Sequence, residues 1–266
     1  MTDTLMFWGT GDSMGVPRVH CSCPICEEAR TTGRNRRYRS SVSLQSAAHG
    51  ALLIDCGPDW RTQMEQFGLR DMDQVLITHA HFDHIAGLPE WADACRWQGK
   101  KGRVFAPLEV LEIIRRQFSW LEQHLELHDC SAGLDWGSWR IHPWKVCHGK
   151  NGYAYAYRFD RTEHTPYSFA YCSDSIHLQG EELLPLYGLQ LLILGTNFYK
   201  EDAPFHTRSV YDMTEALQLL EETAPVRAIF THMSHGVDIR LAAEPDGYAL
   251  PPHVRLAETG WIVPLH

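Results

Sequence analysis

The densest group of metal-ligand residue types in the chain is Thr78-His79-Ala80-His81-Phe82-Asp83-His84. It follows the apolar run 75–77, which predicts a buried strand, and precedes a predicted helix that starts at residue 85. At such a strand end, His79 and His81 can converge on one metal ion while Asp83 and His84 face a second. Imidazole and carboxylate ligands suit zinc, and also iron or manganese in a more open site.

Three further candidate ligands lie downstream, each behind a strand-like run: His148, Asp174 and His232. One such residue alone is more often structural, but their recurrence at strand ends favours a shared site. We assign three side chains to each of two ions, with Asp174 bridging: His79, His81 and His148 at the first ion, and Asp83, His84 and His232 at the second. Asp83 and Asp174 are also the candidate catalytic carboxylates. Because two ions can activate water and hold an electrophilic oxygen, the pattern predicts a hydrolase.

A second metal site is indicated by the cysteines. Three of the eight crowd into Cys21-Ser22-Cys23-Pro24-Ile25-Cys26, and the other five are scattered. Clustered thiols in a cytosolic chain are typical of metal binding. With a fourth ligand they would close a tetrahedral shell, so we expect a structural zinc loop over residues 20–27. A redox motif or unliganded buried thiols are the alternatives.

The elements that position these residues are predicted to be short strands with helices between them. Buried strands are expected at 5–8, 41–44, 51–54, 75–77, 191–194 and 228–230. Tyr153, Tyr155 and Tyr157 alternate with alanines, which predicts a half-exposed strand just after His148. Apolar residues at helical spacing predict helices over 107–127 and 208–222. The mixture predicts packed sheets with helices outside, in one domain that spans 1–266.

Composition restricts the classes of partner. The chain has 266 residues, is 44% hydrophobic, and carries 24 Lys plus Arg against 33 Asp plus Glu, a net charge of −9. This charge would repel a long nucleic acid, and the basic run 34–39 is more typical of a solvated loop. Neither a signal-like start nor a run of about 20 apolar residues is present. We therefore expect a cytoplasmic protein without a membrane partner that acts on a small molecule.

The ordered set of His-x-His-x-Asp-His, His, Asp and His resembles the metallo-β-lactamase superfamily over nearly the whole chain. The resemblance implies an α/β fold, the αββα sandwich with two central mixed β-sheets flanked by helices. It also implies that Asp55 in Leu53-Ile54-Asp55-Cys56-Gly57 supports the metal loop without being a ligand. Histidine at position 81 argues for hydrolysis over electron transfer. Aspartate at position 174 argues against antibiotic hydrolysis.

A narrower resemblance rests on two glycine-containing runs, the cysteine cluster and a late histidine motif: Gly9-Thr10-Gly11, Gly15-Val16-Pro17, residues 21–26, and Thr231-His232-Met233-Ser234-His235. These are similar to the PhnP-type cyclic phosphodiesterases, which act on phosphoribosyl cyclic phosphate. That resemblance implies two catalytic divalent ions, zinc or manganese, and a separate structural zinc with His235 as fourth ligand. It implies a catalytic histidine at position 206. It also suggests a homodimer, although a helix over 107–127 that packs on its own core needs no partner.

We therefore expect a metal-dependent phosphodiesterase that hydrolyses a small, cyclic phosphodiester. A lactonase or thioesterase stays open, because the same chemistry attacks acyl carbons. A transfer-RNA 3′-processing nuclease shares the histidine core, but residues 148–174 leave room for little more than a strand pair. An oxidase similar to the cofactor-biosynthesis protein PqqB and an inactive zinc-stabilised scaffold are the remaining alternatives. Arg18, Tyr199, Lys200 and Arg208 adjoin the motif loops and are candidate phosphate contacts.

Overall fold

Two seven-stranded mixed sheets form the centre of the protein. The computed structural model describes residues 3–163, 165–243 and 250–266. In spatial order, the first sheet contains β14 (Ile262–Pro264), β1 (Thr4–Gly9), β2 (Ser41–Ser46), β3 (Gly50–Ile54), β4 (Gln74–Leu76), β5 (Gly102–Ala106) and β6 (Leu125–Asp129). The second contains β13 (Val254–Leu256), β12 (Arg227–Thr231), β11 (Leu191–Gly195), β10 (Ser168–Cys172), β9 (Tyr153–Arg161), β8 (Trp139–Cys147) and β7 (Leu134–Trp136).

Helices cover the outer faces of the sheets. They are α1 (Pro24–Thr31), α2 (Trp60–Gln66), α3 (Phe82–Ile85), α4 (Leu88–Trp97), α5 (Leu108–Gln117), α6 (Met213–Thr223) and α7 (His235–Ala243). Helices α2, α4 and α5 pack on the first sheet, and α6 packs on the second. This confirms the predicted αββα metallo-β-lactamase sandwich. None of the helices in the described ranges has the length and hydrophobicity needed to cross a membrane.

The central strands are apolar on both faces because each is buried on both faces. In β3, Leu52 and Ile54 belong to the core between the two sheets, whereas Leu53 points into the core beneath the helices. Leu76 and Val75 of β4 divide in the same way. Such strands appear in a sequence as continuous hydrophobic runs, which is why the sequence predicted them. All six expected strands are confirmed.

The tyrosine-alanine alternation is confirmed as strand β9, with a different exposure from the one expected. Ala154 and Ala156 are buried, and the tyrosines become less exposed along the strand, from Tyr153 at 37% to Tyr157 at 0%. The hydroxyl of Tyr157 donates to the Ile77 carbonyl oxygen over 2.6 Å. The strand is therefore exposed at Tyr153 and partly exposed at Tyr155, Arg158, Asp160 and Arg161, and the predicted alternation breaks at the buried Tyr157.

The predicted helix over 107–127 is wrong in its second half. Helix α5 ends at Gln117, a short turn spans Leu121–Gln123, and Leu125 begins β6, which pairs in parallel with β5. The spacing of Phe118, Leu121 and Leu125 fits a helix, but pairing with the sheet edge decides their structure. A homodimer contact had been considered for a long helix over 107–127. Helix α5 has only ten residues, so that long helix is not formed.

The predicted helix over 208–222 starts later than expected. Helix α6 begins at Met213, because the Asp212 carboxylate accepts from the Glu215 N–H and the Glu215 carboxylate accepts from the Asp212 N–H. This reciprocal cap fixes the first turn. Arg208 and Asp212 before it have extended backbone, and Tyr211 N–H donates to the Ser175 carbonyl oxygen. The single-domain prediction spans 1–266, and residues 1–2, 164 and 244–249 of that range lie outside the described residues.

Candidate metal centre

The seven predicted catalytic ligands come together at the carboxyl ends of four strands. The His-x-His-x-Asp-His motif follows β4, and three single ligands follow β8, β10 and β12: His148, Asp174 and His232. Their ligand atoms form two groups, in each of which the atoms lie within 4.8 Å of one another. The first group is His79, His81 and His148, and the second is Asp83, His84, Asp174 and His232. This is the division that the sequence predicted.

The first group presents three imidazole nitrogens to a common point. His79 Nε2 lies 2.9 Å from His81 Nδ1, and the His79 and His148 rings are 5.1 Å apart between centroids. The second nitrogen of His148, Nδ1, donates to the Ser209 carbonyl oxygen over 2.8 Å. Because Nδ1 holds the proton, Nε2 of His148 carries a free lone pair for an ion.

Asp174 lies between the two groups. Its Oδ1 is 3.3 Å from His84 Nε2, and its Oδ2 is 3.3 Å from His232 Nε2. The same Oδ2 is 3.6 Å from His148 Nε2 and 4.0 Å from His79 Nε2. The carboxylate thus faces ligands of both groups, as the bridging assignment requires. Asp83 Oδ2 completes the second group at 3.1 Å from His84 Nε2.

The donor set fits divalent ions. Ligand atoms on a tetrahedral zinc ion lie roughly 3.3–3.8 Å apart, which is close to the separations around Asp174. Within the described ranges, His84 Nε2, His232 Nε2 and Asp174 Oδ1 are buried and lack a hydrogen-bond partner with suitable geometry. Buried polar atoms are rarely left in this state. Atoms that point at a shared centre rather than at each other are those expected of metal ligands.

Asp55 supports the metal loop from beneath, as the family resemblance implied. It is completely buried and adopts a left-handed backbone conformation with φ of +63°. The ring N–H of His84 at Nδ1 donates to Asp55 Oδ2 over 2.7 Å, which turns Nε2 toward the second group. The backbone N–H and hydroxyl of Thr78 both donate to Asp55 Oδ1 over 2.9 Å.

Thr78 is a positioning residue that the sequence analysis missed. Its hydroxyl lies 2.9 Å from Asp55 Oδ2 and 3.0 Å from His79 Nδ1, so it connects the supporting carboxylate with a ligand of the first group. The signal was a hydroxyl residue directly before the first histidine of the motif. Ser209, whose carbonyl oxygen orients His148, gave no signal because a backbone atom does the work.

Asp55→Asn should weaken the second metal position while the fold is kept. The amide is isosteric, but it removes the negative charge that orients and polarises His84. Loss of such a partner typically costs about 10- to 100-fold in metal affinity or activity. Metal titration and kcat/KM would measure it, with Asp71→Asn on an exposed loop as the matched control. An affinity equal to that of the unmodified protein would remove Asp55 from this role.

The histidine pKa values are shifted in opposite directions in the two groups. Burial lowers the pKa of His79, His81 and His148, so these imidazoles are neutral and can bind an ion directly. Burial also acts to lower the pKa of His232, but the charges of Asp174 and Asp83 raise it to about 9. The pKa of His84 is raised in the same way by Asp83 and Asp55. Without metal, protons therefore occupy the second group.

Uptake of metal by the metal-free protein should release protons and strengthen as pH rises. An imidazole binds an ion only without its proton, and the raised pKa of His232, about 9, keeps it protonated at pH 7. Apparent affinity should thus rise by up to about tenfold per pH unit for each displaced proton. Calorimetry with Mn²⁺ in two buffers of different ionisation enthalpy counts these protons. We expect roughly two at pH 7, and none would contradict the charge states above.

The cysteine cluster forms a separate group with His235. The Sγ atoms of Cys21, Cys23 and Cys26 lie 3.6, 3.5 and 3.3 Å from His235 Nδ1. A sulfur and a nitrogen on one tetrahedral zinc ion are about 3.6 Å apart. The four side chains therefore have the spacing of a closed Cys₃His shell. All eight cysteines, which lie within the described ranges, are free of disulfides.

This cluster is coupled through the backbone to the catalytic group. His235 begins α7, three residues after His232, and α1, which carries Cys26, packs on α7. Met233 N–H donates to the Thr10 carbonyl oxygen over 2.8 Å. Asp12 N–H donates to the Met233 carbonyl oxygen over 3.1 Å. Both hydrogen bonds join Met233, the residue after His232, to the N-terminal segment, and His232 itself has a left-handed φ of +57°.

His206 lies on a turn next to the one that follows His148. It is exposed on the turn Phe205–Thr207, which packs against the turn Gly149–Asn151 after His148. Two of the candidate phosphate contacts are instead engaged by carboxylates. The Arg208 guanidinium is buried and bound by Glu215 at 2.6 Å and by Glu201 at 3.2 Å. Arg18 pairs with Asp12.

Comparison with known proteins identifies the family. A model described as "Beta-lactamase superfamily domain" matches residues 51–233, a range that holds all seven candidate ligands of the two groups. The chain belongs to the beta-lactamase superfamily. The two-sheet architecture and the ligand positions at strand ends are those of its metal-dependent members, the metallo-β-lactamase-fold hydrolases.

Three proteins show what this chain is similar to within the superfamily and beyond it in sequence comparisons. A crystal structure described as a new diphosphatase from the PhnP family has a TM-score of 0.83 and 26% identity, with 100% of this chain and 98% of that chain covered. Zn²⁺-bound PqqB from Methylobacterium extorquens has a TM-score of 0.75 over 98% of this chain and 99% of its own, but at 15% identity it shows the fold alone. A Porphyromonas gingivalis protein named octanoyltransferase is 26% identical over 95% of this chain. The chain spans 49% of that protein's length.

Proposed function

We propose that this superfamily member hydrolyses a small phosphodiester at a pair of divalent ions, zinc or manganese, and that a third ion, zinc, is structural. The observation that carries the proposal is the position of Asp174, whose oxygens face two groups of ligand-type side chains that are all buried except His81. Two ions, when bound, supply Lewis acidity that lowers the pKa of water and holds a phosphoryl oxygen. The structural zinc is proposed for Cys21, Cys23, Cys26 and His235, whose spacing matches a closed shell.

The chain's own residues hold and orient this chemistry. The neutral imidazoles of His79, His81 and His148 can hold the first ion, and the carboxylates of Asp83 and Asp174 balance the charge of the second. Asp55 fixes the ring of His84. The exposed imidazole of His206, on a turn that packs against the turn after His148, is the group proposed to donate a proton to the leaving oxygen.

Phosphorus rather than acyl chemistry is supported by similarity to the PhnP-family structure over the full chain. That protein is described as a diphosphatase, which makes hydrolysis of a small diphosphate the second candidate. The net charge of −9 supports a small substrate over a long nucleic acid. We further propose a cytoplasmic location, where free thiols persist and a zinc-thiolate site is stable.

A substrate panel tests the proposal. The metal-loaded protein would be assayed with bis-p-nitrophenyl phosphate, ribose cyclic phosphates, a small diphosphate, a homoserine lactone, an octanoyl thioester and a β-lactam. The His81→Ala variant serves as the metal-site control. Turnover of a phosphodiester that this variant abolishes would support the proposal. Turnover of the lactone or thioester alone would reject it, and oxygen consumption without hydrolysis would favour the PqqB-like alternative.

His206→Ala should lower turnover and leave the metal content unchanged. A positioned proton donor typically contributes about 10²- to 10⁴-fold to the rate. The effect should fall on kcat and should be smaller for a substrate with a good leaving group such as p-nitrophenolate, which needs little protonation. His253→Ala replaces an exposed histidine outside all three ligand groups and serves as the control. Equal kcat in the His206 and His253 variants would exclude His206 from catalysis.

A further inference from the structure

The turn that follows His148 has a fixed backbone. Asn151 N–H donates to the His148 carbonyl oxygen over 3.1 Å, and His148 N–H donates to the Gly152 carbonyl oxygen over 2.9 Å. Lys150 N–H donates to the Arg208 carbonyl oxygen over 3.0 Å. These backbone hydrogen bonds hold the turn against both His148 and the loop that contains Arg208.

Gly149 makes this close packing feasible. Its φ is +54°, and a Cβ atom at this position would lie 2.2 Å from the Arg208 carbonyl oxygen. A side chain would thus push the turn away from the loop. On the other side of this contact, the Arg208 guanidinium is bound by Glu215 and Glu201, which fixes the Arg208 side chain. Asn151 therefore projects from a well-defined position.

The side chain of Asn151 reaches into the metal centre from the solvent side. Its amide nitrogen Nδ2 lies 3.2 Å from His148 Nε2, although the residue is exposed. His148 Nδ1 donates to the Ser209 carbonyl oxygen, so Nε2 is a bare acceptor. The amide must then present its NH₂ to Nε2 rather than its oxygen. A hydrogen-bond donor thus stands next to the atom with which His148 would bind the first ion.

We infer that Asn151 binds substrate by donating a hydrogen bond from Nδ2 to a phosphoryl oxygen. The Nε2 lone pair of His148 cannot bind an ion and accept from the amide at the same time. If an ion were held by Nε2, the NH₂ group would have to leave this acceptor, while the fixed turn would keep the Asn151 side chain beside the site. A phosphoryl oxygen of a substrate at the same ion supplies the replacement. A fixed neutral donor of this kind stabilises charge that grows on the oxygen during hydrolysis.

This inference rests on the proposed function, and the experiment separates the two. Wild-type protein, Asn151→Ala and Asn151→Asp would be loaded with Mn²⁺, with Gln66→Ala as an exposed amide control on α2. Binding of inorganic phosphate would be measured by calorimetry, metal content by elemental analysis, and kcat and KM with a phosphodiester that the wild-type protein turns over. Thermal unfolding would check that all variants are folded.

We expect Asn151→Ala to bind phosphate about 10- to 100-fold more weakly, as expected for the loss of one hydrogen bond to a charged group. Asn151→Asp should be weaker still, since a carboxylate repels the anion, and all variants should keep their metal. Phosphate affinity equal to wild type in Asn151→Ala would overturn the inference. So would loss of Mn²⁺ from that variant, which would make Asn151 a metal ligand, or failure of the wild-type protein to bind phosphate. If phosphate binding falls as expected but no phosphodiester is hydrolysed, the proposed reaction fails and Asn151 keeps its role.

Discussion

Asp174→Ala should remove most of the catalytic metal and reduce kcat/KM by about 10³-fold or more. The carboxylate contacts His84 and His232 at 3.3 Å and His148 at 3.6 Å, so both groups lose a shared neighbour at once. The side chain is buried, with 4% of its surface exposed. Without the carboxylate, the positive charge of bound ions, or of protonated His84 and His232 in the metal-free protein, loses one of its balancing charges. Elemental analysis after dialysis and steady-state kinetics would measure the two losses.

Asp174→Asn distinguishes charge from shape at the same position. The amide has the same size but carries no charge and presents only one oxygen, so it cannot bridge two ions. We expect one catalytic ion to be retained at most, with activity close to that of the alanine variant. Asp160→Asn, at a half-exposed position in strand β9, is the matched control and should keep both metal and activity. If Asp174→Asn kept two ions and full activity, the bridging assignment would be wrong.

Cys26→Ser should remove one zinc ion and destabilise the protein more than any other single cysteine substitution. Cys26 is completely buried in the small core formed with Val16, Ile25 and Ala29, and its Sγ is 3.3 Å from His235 Nδ1. The serine hydroxyl is a poor zinc ligand, so the zinc-mediated link between Cys26 on α1 and His235 on α7 should be lost. Loss of a structural metal costs about 4 kcal/mol or more. For a chain of this size, the melting temperature should fall by about 10 °C.

The consequences of the Cys26 substitution should extend to catalysis. The His232 loop would lose its attachment through His235, so metal affinity at the second catalytic position should fall as well. Cys95→Ala provides the control, because Cys95 is a buried cysteine on α4 outside all three ligand groups. It should cost only the small cavity it leaves, about 1 kcal/mol, with the zinc content unchanged. Zinc content equal to wild type in Cys26→Ser would show that the cluster does not hold zinc.

The sequence by itself determined which metal-ligand residue types cluster at strand ends and where the core strands lie. Residues such as His79, His81 and Asp83 stand close together in the chain, and the short buried strand before them fixes where they emerge. Leu52, Leu53 and Ile54 read as one apolar run because both faces of β3 are covered. Spacing of this kind depends on local geometry alone, which is why the grouping of the motif side chains and the strands could be predicted.

Tertiary structure decided the features that depend on distant parts of the chain. Phe118 to Leu125 fit a helix by spacing, and only the free edge of β5 converts the last of them into a strand. The role of Thr78 follows from its bonds to Asp55, which is 23 residues away. Asn151 became a candidate only when its amide was found beside His148 Nε2, whose lone pair is set by the Ser209 carbonyl oxygen 61 residues farther along. Hydrogen bonds between such distant residues leave no periodic pattern in a sequence, so their partners can be recognised only after folding has brought them together.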